Sequence, residues 1–416
     1  MNKYSTLKGV CDIVPPDDRL WDFIEGVSKE VFSIYGFRNI RIPIIEYTDL
    51  FKRGIGEGTD IVEKEMYTFS DRSGRSITLR PEGTASVVRS YIENNLSLLP
   101  SPQKFYYQGP MFRYERPQKG RQRQFYQIGA EVFGSANPST DAEIFSMLEM
   151  FIDKVGLKPQ GGTHIDTQLQ INSIGCPTCR PSYITLLIEF FSKHKDNLCI
   201  DCQGRLQKNP LRLLDCKNDG CCSIKKYAPI ITQNLCNECL IHHNKLKHLL
   251  DLQGISFIEN PLIVRGLDYY TKTAFEITAE HLGAQNTLIA GGRYDNLVAE
   301  FGGAKTPAIG FAIGIERLAL LLKDNEISNS HIPLIYFAVL GDKALDKAVI
   351  LSKKYRQAGD WVEIGSPTDS LKSQMKKADK FNAESVIIIG ENEIKTGIAI
   401  KKRLVDGFQE DYNLEI

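Results

Sequence analysis

Residues 105–134, FYYQGPMFRYERPQKGRQRQFYQIGAEVFG, constrain the fold more than any other stretch of the chain. Two aromatic-rich apolar runs, Phe105–Phe112 and Phe125–Phe133, flank a loop that carries Arg113, Arg116, Lys119, Arg121 and Arg123. Such runs favour a pleated, half-buried surface, and Pro117 and Gly120 punctuate the connection, so the segment predicts a long β-hairpin. A solvated loop accounts for Lys119. It does not account for Arg113 and Glu131, which stand beside or inside the apolar runs, where an unpaired charge is expensive. A guanidinium fixed at a strand end suits bidentate capture of phosphate, so an anionic ligand is expected here.

At 416 residues the chain exceeds one ordinary core, and two or three domains are expected. Its 51 basic and 51 acidic side chains cancel, so contact with nucleic acid has to come from local patches such as this loop. No run of about 18 apolar residues occurs and MNKYSTLKGVCDIVPP lacks a signal-peptide core, so a cytoplasmic protein with no membrane contact is expected.

An amphipathic helix is predicted near Leu20–Tyr35. The strand-like run Phe37–Ile45 follows, and its Pro43 marks it as an edge or interface strand. Residues 166–255 turn to cysteine, lysine and leucine and read as an inserted, Cys-rich helical module. Strands resume at Pro261–Ile277 and Thr287–Ala290. Strands segregated from helices indicate α+β with a mainly antiparallel sheet flanked by helices. The polar break NEISNSHIP reads as a linker, after which strands Leu334–Leu340, Trp361–Ile364 and Glu384–Gly390 alternate with helices Asp342–Ala358 and Ser370–Phe381. That order predicts a C-terminal α/β domain with a parallel sheet, giving domains 1–325 and 331–416.

Nine of the ten cysteines lie between 176 and 239, in the pairs Cys176/Cys179, Cys199/Cys202 and Cys236/Cys239 with Cys216, Cys221 and Cys222 between. Paired C-x-x-C is the spacing with which two thiolates grip a tetrahedral zinc. LQINSIGC and LRLLDC both read as strands ending in cysteine, which would let Cys176 and Cys179 meet Cys216 and Cys221, and Cys199 and Cys202 meet Cys236 and Cys239. Reduced, partly buried thiols, or a metal site lost in this chain, also explain the spacing, and no residue is assigned as a metal ligand.

The hairpin resembles motif 2 of class II aminoacyl-tRNA synthetases, and FRYERPQKGRQRQF with GAEVFG is similar to the histidyl-tRNA synthetase family. TLRPEGTA at 78–85, IVRGLDYYTKTAFE at 263–276, AGGRYDNL at 290–297 and GFAIGIERL at 310–318 extend the resemblance over nearly the whole chain. It implies a class II sheet, a C-terminal anticodon-binding domain and a homodimer joined through motif 1 near 37–45. It also implies histidine–tRNA ligase activity: histidine and ATP give histidyl-adenylate and pyrophosphate, and histidine then passes to the 3′ end of tRNA(His). Arg113 and Arg265 are implied as catalytic. Glu82, Gly83, Thr84, Gln127, Glu131, Tyr269 and Tyr270 are implied to bind histidine; Arg113, Glu115, Arg121 and Arg317 to bind ATP with Mg2+; and Arg116, Gln118 and Arg123 to meet the tRNA acceptor end. Gly310 and Gly314 are expected to admit nucleotide, the glycines of AGGRYDNL to admit histidine, and Arg293 and Tyr294 to support the pocket.

Phosphoryl transfer needs positioning and charge neutralisation more than a protein nucleophile, which fits a chain with arginines and no marked Ser/His/Asp set. Gly54-Ile-Gly56-Glu-Gly58 lacks the strand-then-helix context of a dinucleotide loop and reads as an active-site loop. His242 and His243 read as surface histidines. A catalytically silent regulatory paralogue is the second reading, and a ligase for another amino acid the third. The presence of Arg113, Glu131, Arg265 and Arg317 and of residues 334–416 opposes the former, and RGLDYY the latter.

Overall fold

The hairpin forms with strands Gln103–Phe112 and Gln124–Phe133, paired antiparallel from Gln103↔Phe133 to Phe112↔Gln124. The computed structural model describes residues 4–56, 58–159, 166–279, 282, 286–323 and 334–415, so NEISNSHIP, expected as a linker, lies outside the described residues. The chain divides into two compact units, Met1–Ile327 and Ser328–Ile416.

In the first unit the hairpin lies within a nine-stranded sheet. Its order is Arg38–Asn39, Gln103–Phe112, Gln124–Phe133, Ala308–Gly314, Thr287–Arg293, Thr271–Ala279, Asp166–Ser173 and Lys158–Pro159, with Phe257–Glu259 also on Asp166–Ser173. The six long strands pair antiparallel. Only the short outer strands add in parallel. This is the antiparallel α+β sheet expected.

Successive strand residues face opposite ways. Ile128, Ala130, Val132, Ile309, Phe311 and Ile313 therefore share one face and join a single core with Ile24, Val31, Phe32, Phe145, Leu148 and Phe151. Those partners come from helices Asp17–Ile34 and Pro138–Lys154. In the first helix Ile24, Val27, Val31 and Phe32 recur at the spacing of a helical stripe, and Asp17 and Asp18 sit favourably in its first turn. The second opens with Pro138 after Asn137, whose side chain accepts the Ser139 N–H at 3.0 Å.

Two local expectations need correction. Phe37–Ile45 is not one strand: Arg38–Asn39 pairs beside Phe105 and Tyr106, and Ile45–Tyr47 belongs to a separate three-stranded sheet with Tyr67–Ser70 and Ser76–Leu79. Pro43 has no N–H to give a ladder, and the buried Arg80 guanidinium takes the Ile42 carbonyl at 2.9 Å instead. LRLLDC is a 3-10 turn, Pro210–Leu213, within an insertion whose helices are Arg180–Ser192, Ile200–Lys208, Asp219–Lys225 and Asn237–Gln253. The proline at its head favours a helical first turn over a strand.

The second unit has strand order Trp361–Ile364, Leu334–Val339, Ser385–Ile389, Ile398–Arg403, Gln409–Asn413. The first three are parallel, as expected of an α/β alternation, and the last two add antiparallel.

Candidate active site

The face of the large sheet opposite the helices carries the site, and register explains its shape. Residues directly opposite one another share a face. Gln127, Gly129 and Glu131 therefore lie beside Gly109, Tyr107 and Phe105 on one neighbour and Gly314, Ala312 and Gly310 on the other. Beyond these come Gly292 and Ala290, then Ala274 and Glu276. So many small residues make a trough whose floor is backbone.

Two close approaches fill it. A Cβ on Gly129 would stand 2.2 Å from the Tyr107 ring, and one on Gly310 would stand 1.7 Å from Glu131 Oε2. Gly310 thus makes room for a carboxyl, which corrects the expectation that it admits nucleotide. Gly83, expected beside histidine, likewise lies 2.2 Å from the Tyr107 ring at its would-be Cβ. Of the AGGRYDNL glycines, Gly291 faces the core, against Phe311 and Phe275, and Gly292 approaches Tyr270.

Glu131 has no exposed surface. Thr84 Oγ1 donates to its Oε1 at 2.7 Å and Tyr107 Oη at 3.3 Å, while Tyr294 Oη donates to Oε2. Burial, which those donors offset only in part, pushes its pKa up to about 8. Glu82 accepts the N–H groups of Thr84 at 2.7 Å and Ala85 at 2.9 Å, at the start of helix Thr84–Glu93. Burial nevertheless raises its pKa too. Tyr269 and Tyr270 are buried with ring centroids 4.6 Å apart, and Tyr269 also meets the Tyr294 ring edge-on at 5.6 Å. Gln127 Oε1 is buried and finds no hydrogen-bond partner among the described residues.

Cations gather at the rim. Arg265 pairs with Glu276 at 2.9 Å, lies 5.3 Å from the Tyr270 ring centre, and leaves its Nε buried without a partner among the described residues. Asp268, in the same RGLDYY segment, accepts from Asn209 at 3.0 Å. Arg113 lies 5.2 Å from the Phe125 ring centre and donates to the Pro81 carbonyl at 2.9 Å. Arg121 holds Glu115 at 2.9 Å. Arg317 donates to the Thr287 carbonyl, and burial followed by the nearby Arg121 and Arg113 lowers its pKa. Guanidinium groups this close repel, and an anion among them relieves the repulsion.

Of the residues expected to meet tRNA, Arg116 and Gln118 are exposed on the loop, whereas Arg123 is turned onto the Tyr114 ring at 4.0 Å. Sequence reasoning missed Tyr107, Glu276 and Arg80. It also misread His242 and His243, which are buried: His242 meets Asp141 at 2.9 Å and His243 meets Glu259 at 3.1 Å. Asp141 lies at the centre of a buried network with Arg293, Thr273 and His242. Burial alone would raise its pKa, but Arg293 and His242 outweigh that and lower it.

A family profile described as histidyl-tRNA synthetase matches residues 9–166 and 231–318, and one described as an anticodon binding domain matches 335–415. The chain is 48% identical over 409 residues to a Trichlorobacter lovleyi protein named Histidine--tRNA ligase, an alignment covering 98% of this chain and 96% of that one. A Geobacter sulfurreducens protein of the same name is 48% identical over 403 residues, covering 97% and 95%. The apo structure of S. aureus histidyl-tRNA synthetase superposes with a TM-score of 0.82 at 37% identity, covering 99% of this chain and 98% of that one.

Proposed function

The chain belongs to the histidyl-tRNA synthetase family, and we propose that the trough described above carries both half-reactions of histidine–tRNA ligation. Histidine's carboxylate attacks the α-phosphorus of ATP, pyrophosphate leaves, and the terminal ribose hydroxyl of tRNA(His) takes the histidyl group from the adenylate. What supports this assignment is the conjunction of a wholly buried carboxyl, Glu131, with two buried polar atoms that lack partners among the described residues, Gln127 Oε1 and Arg265 Nε, and with the cluster of Arg113, Arg121 and Arg317.

Glu131 and Tyr270 take the imidazole, with Tyr269 against its ring. A site that expects ring nitrogens rejects isosteres that leave its buried groups unpaired. Gln127, Glu82 and Thr84 hold the α-amino end, where Gly83 brings the backbone close. Arg113 and Arg265 clamp the α-phosphate from two sides and neutralise the charge that spreads over its oxygens in the transition state. Arg121 and Arg317 hold the remaining phosphates. Glu115 and Glu65 are hard oxygen donors, and burial and then Glu115 raise the Glu65 pKa; they fit Mg2+, which would screen the phosphate charge. Arg116, Gln118 and Arg123 receive the tRNA acceptor end, with Arg123 released from Tyr114.

Residues 1–325 then form the catalytic domain and 331–416 the anticodon-binding domain; the insertion expected at 166–255 begins only after Asp166–Ser173, which belongs to the large sheet. A homodimer joins through motif 1 near 37–45, where Ile44 and Ile45 are exposed. Among the described residues no helix is long and apolar enough to cross a membrane, and the cytoplasm is the compartment where charged tRNA is used. The test is charging of a tRNA(His) transcript by the purified protein. Histidine alone among the amino acids is expected to be attached; failure to charge, or charging with another amino acid, would overturn the assignment.

A further inference from the structure

Eight of the ten cysteines fall into two separate groups, Cys176, Cys179, Cys236, Cys239 and Cys199, Cys202, Cys216, Cys221, and within each the sulfurs lie within 4.8 Å of one another. This corrects the grouping expected from sequence, because LRLLDC turns as a 3-10 helix and returns Cys216 to the Cys199 pair. Cys176 Sγ stands 3.8 Å from both Cys179 and Cys236, Cys179 stands 3.9 Å from Cys239, and Cys199 stands 3.8 Å from Cys216. A disulfide needs about 2.05 Å. A tetrahedron whose centre lies about 2.3 Å from each sulfur, the zinc–thiolate length, has an edge of about 3.8 Å. An iron–sulfur core, which places several atoms between its thiolates, needs wider spacing.

We infer that each group binds one structural Zn2+ through four thiolates. The surroundings fit that charge. Helices Ile200–Lys208 and Asn237–Gln253 begin within a Cys-x-x-Cys pair and helix Arg180–Ser192 begins directly after one, so their positive ends lie beside the thiolates. Backbone N–H groups of Cys176, Cys199 and Asn218 donate to Cys179, Cys221 and Cys216 sulfurs at 3.3, 3.3 and 3.4 Å.

Both centres anchor the segment that carries Arg265, Tyr269 and Tyr270. Beside the first, Lys272 bonds through its backbone to Gly175 at 2.7 Å and Ile174 at 2.8 Å, and through its ammonium to Glu238 at 2.8 Å. Arg180, next to Cys179, donates to the Tyr270 carbonyl. The second fixes the turn from which Asn209 reaches Asp268 at 3.0 Å. This bracing role rests on the proposed function; the metal assignment does not.

The test is the metal content of the full-length protein, purified without chelator, by inductively coupled plasma mass spectrometry. Close to two zinc per chain is expected. Cys239→Ser and Cys216→Ser are each expected to lower this to about one. Cys222→Ser is expected to keep two, since its sulfur donates to the Cys216 carbonyl at 3.3 Å and joins neither group. Cobalt introduced in place of zinc should show the visible bands of tetrahedral thiolate ligation, a readout that needs no variant. Fewer than two zinc in the wild type, iron in their place, loss of zinc from Cys222→Ser, or cobalt without those bands would overturn the proposal. Failure of the ligase assignment would appear instead as absent histidine charging with the zinc count intact.

Discussion

Glu131 keeps its proton to about pH 8 in the folded chain, against 4.5 for an ordinary glutamate. Between those values the folded state binds more protons than the unfolded one, so this residue's contribution to stability falls as pH rises through that window and levels off above it. Glu131→Gln is neutral throughout and escapes the loss. Its melting temperature relative to wild type is therefore expected to improve from pH 5 to pH 8.5, and a pH-independent difference in differential scanning calorimetry would contradict the assignment. Gly310→Ala tests the same carboxyl from beneath, because its Cβ would lie 1.7 Å from Oε2. Displacement by about an ångström costs on the order of 10²-fold in a positioned reaction. Histidine activation should fall by that much while circular dichroism stays unchanged. Glu131 was legible in the sequence as a charge inside an apolar strand. Its partners Tyr107 and Tyr294 were less so, because a tyrosine among aromatic residues reads as core until the opposing strand is placed. Gly310 was misassigned for the same reason: what a glycine makes room for depends on cross-strand register, which its neighbours in sequence do not carry.

The hairpin and its loop were legible almost to the residue, since strand composition, turn residues and the arginine run all agreed. Elements whose local pattern conflicts with tertiary packing were not. Phe37–Ile45 reads as one strand but is split by Arg80, which takes carbonyls a ladder would have used. His242 and His243 read as polar helix surface, yet both are buried, His242 against the buried Asp141 and His243 against the exposed Glu259. Within the loop, exposure separates roles: Arg116 is exposed, whereas Arg121 is tied to Glu115 at 2.9 Å. Arg116→Ala should weaken tRNA charging and flatten its salt dependence while leaving pyrophosphate exchange near wild type. Arg121→Ala should raise the KM for ATP about tenfold, the worth of one charge-assisted hydrogen bond of roughly 1.5 kcal/mol. Steady-state kinetics with each substrate varied in turn would show the reverse pattern if the two arginines had exchanged roles.

The two compact units have their own cores: Phe32, Phe151 and Phe311 belong to one, Phe337, Leu351 and Ile387 to the other. A protein truncated after Ile327 is accordingly expected to fold. If the second unit reads tRNA, the truncated form should lose aminoacylation far more than adenylate formation, and equal losses would contradict that division of labour. At this scale the sequence was most informative, because strand and helix order alone separates an antiparallel unit from an α/β one. The proposed chemistry requires a cleft that seizes free histidine and clamps ATP with Arg113 and Arg265. ATP–pyrophosphate exchange, compared between wild type and Arg265→Ala of matched fold and oligomeric state, tests it most directly. Exchange is expected to require histidine and to drop about 10²–10³-fold in the variant, as when a preorganised transition-state donor is removed. Exchange that proceeds without histidine, or that survives near wild-type rates in Arg265→Ala, would contradict it.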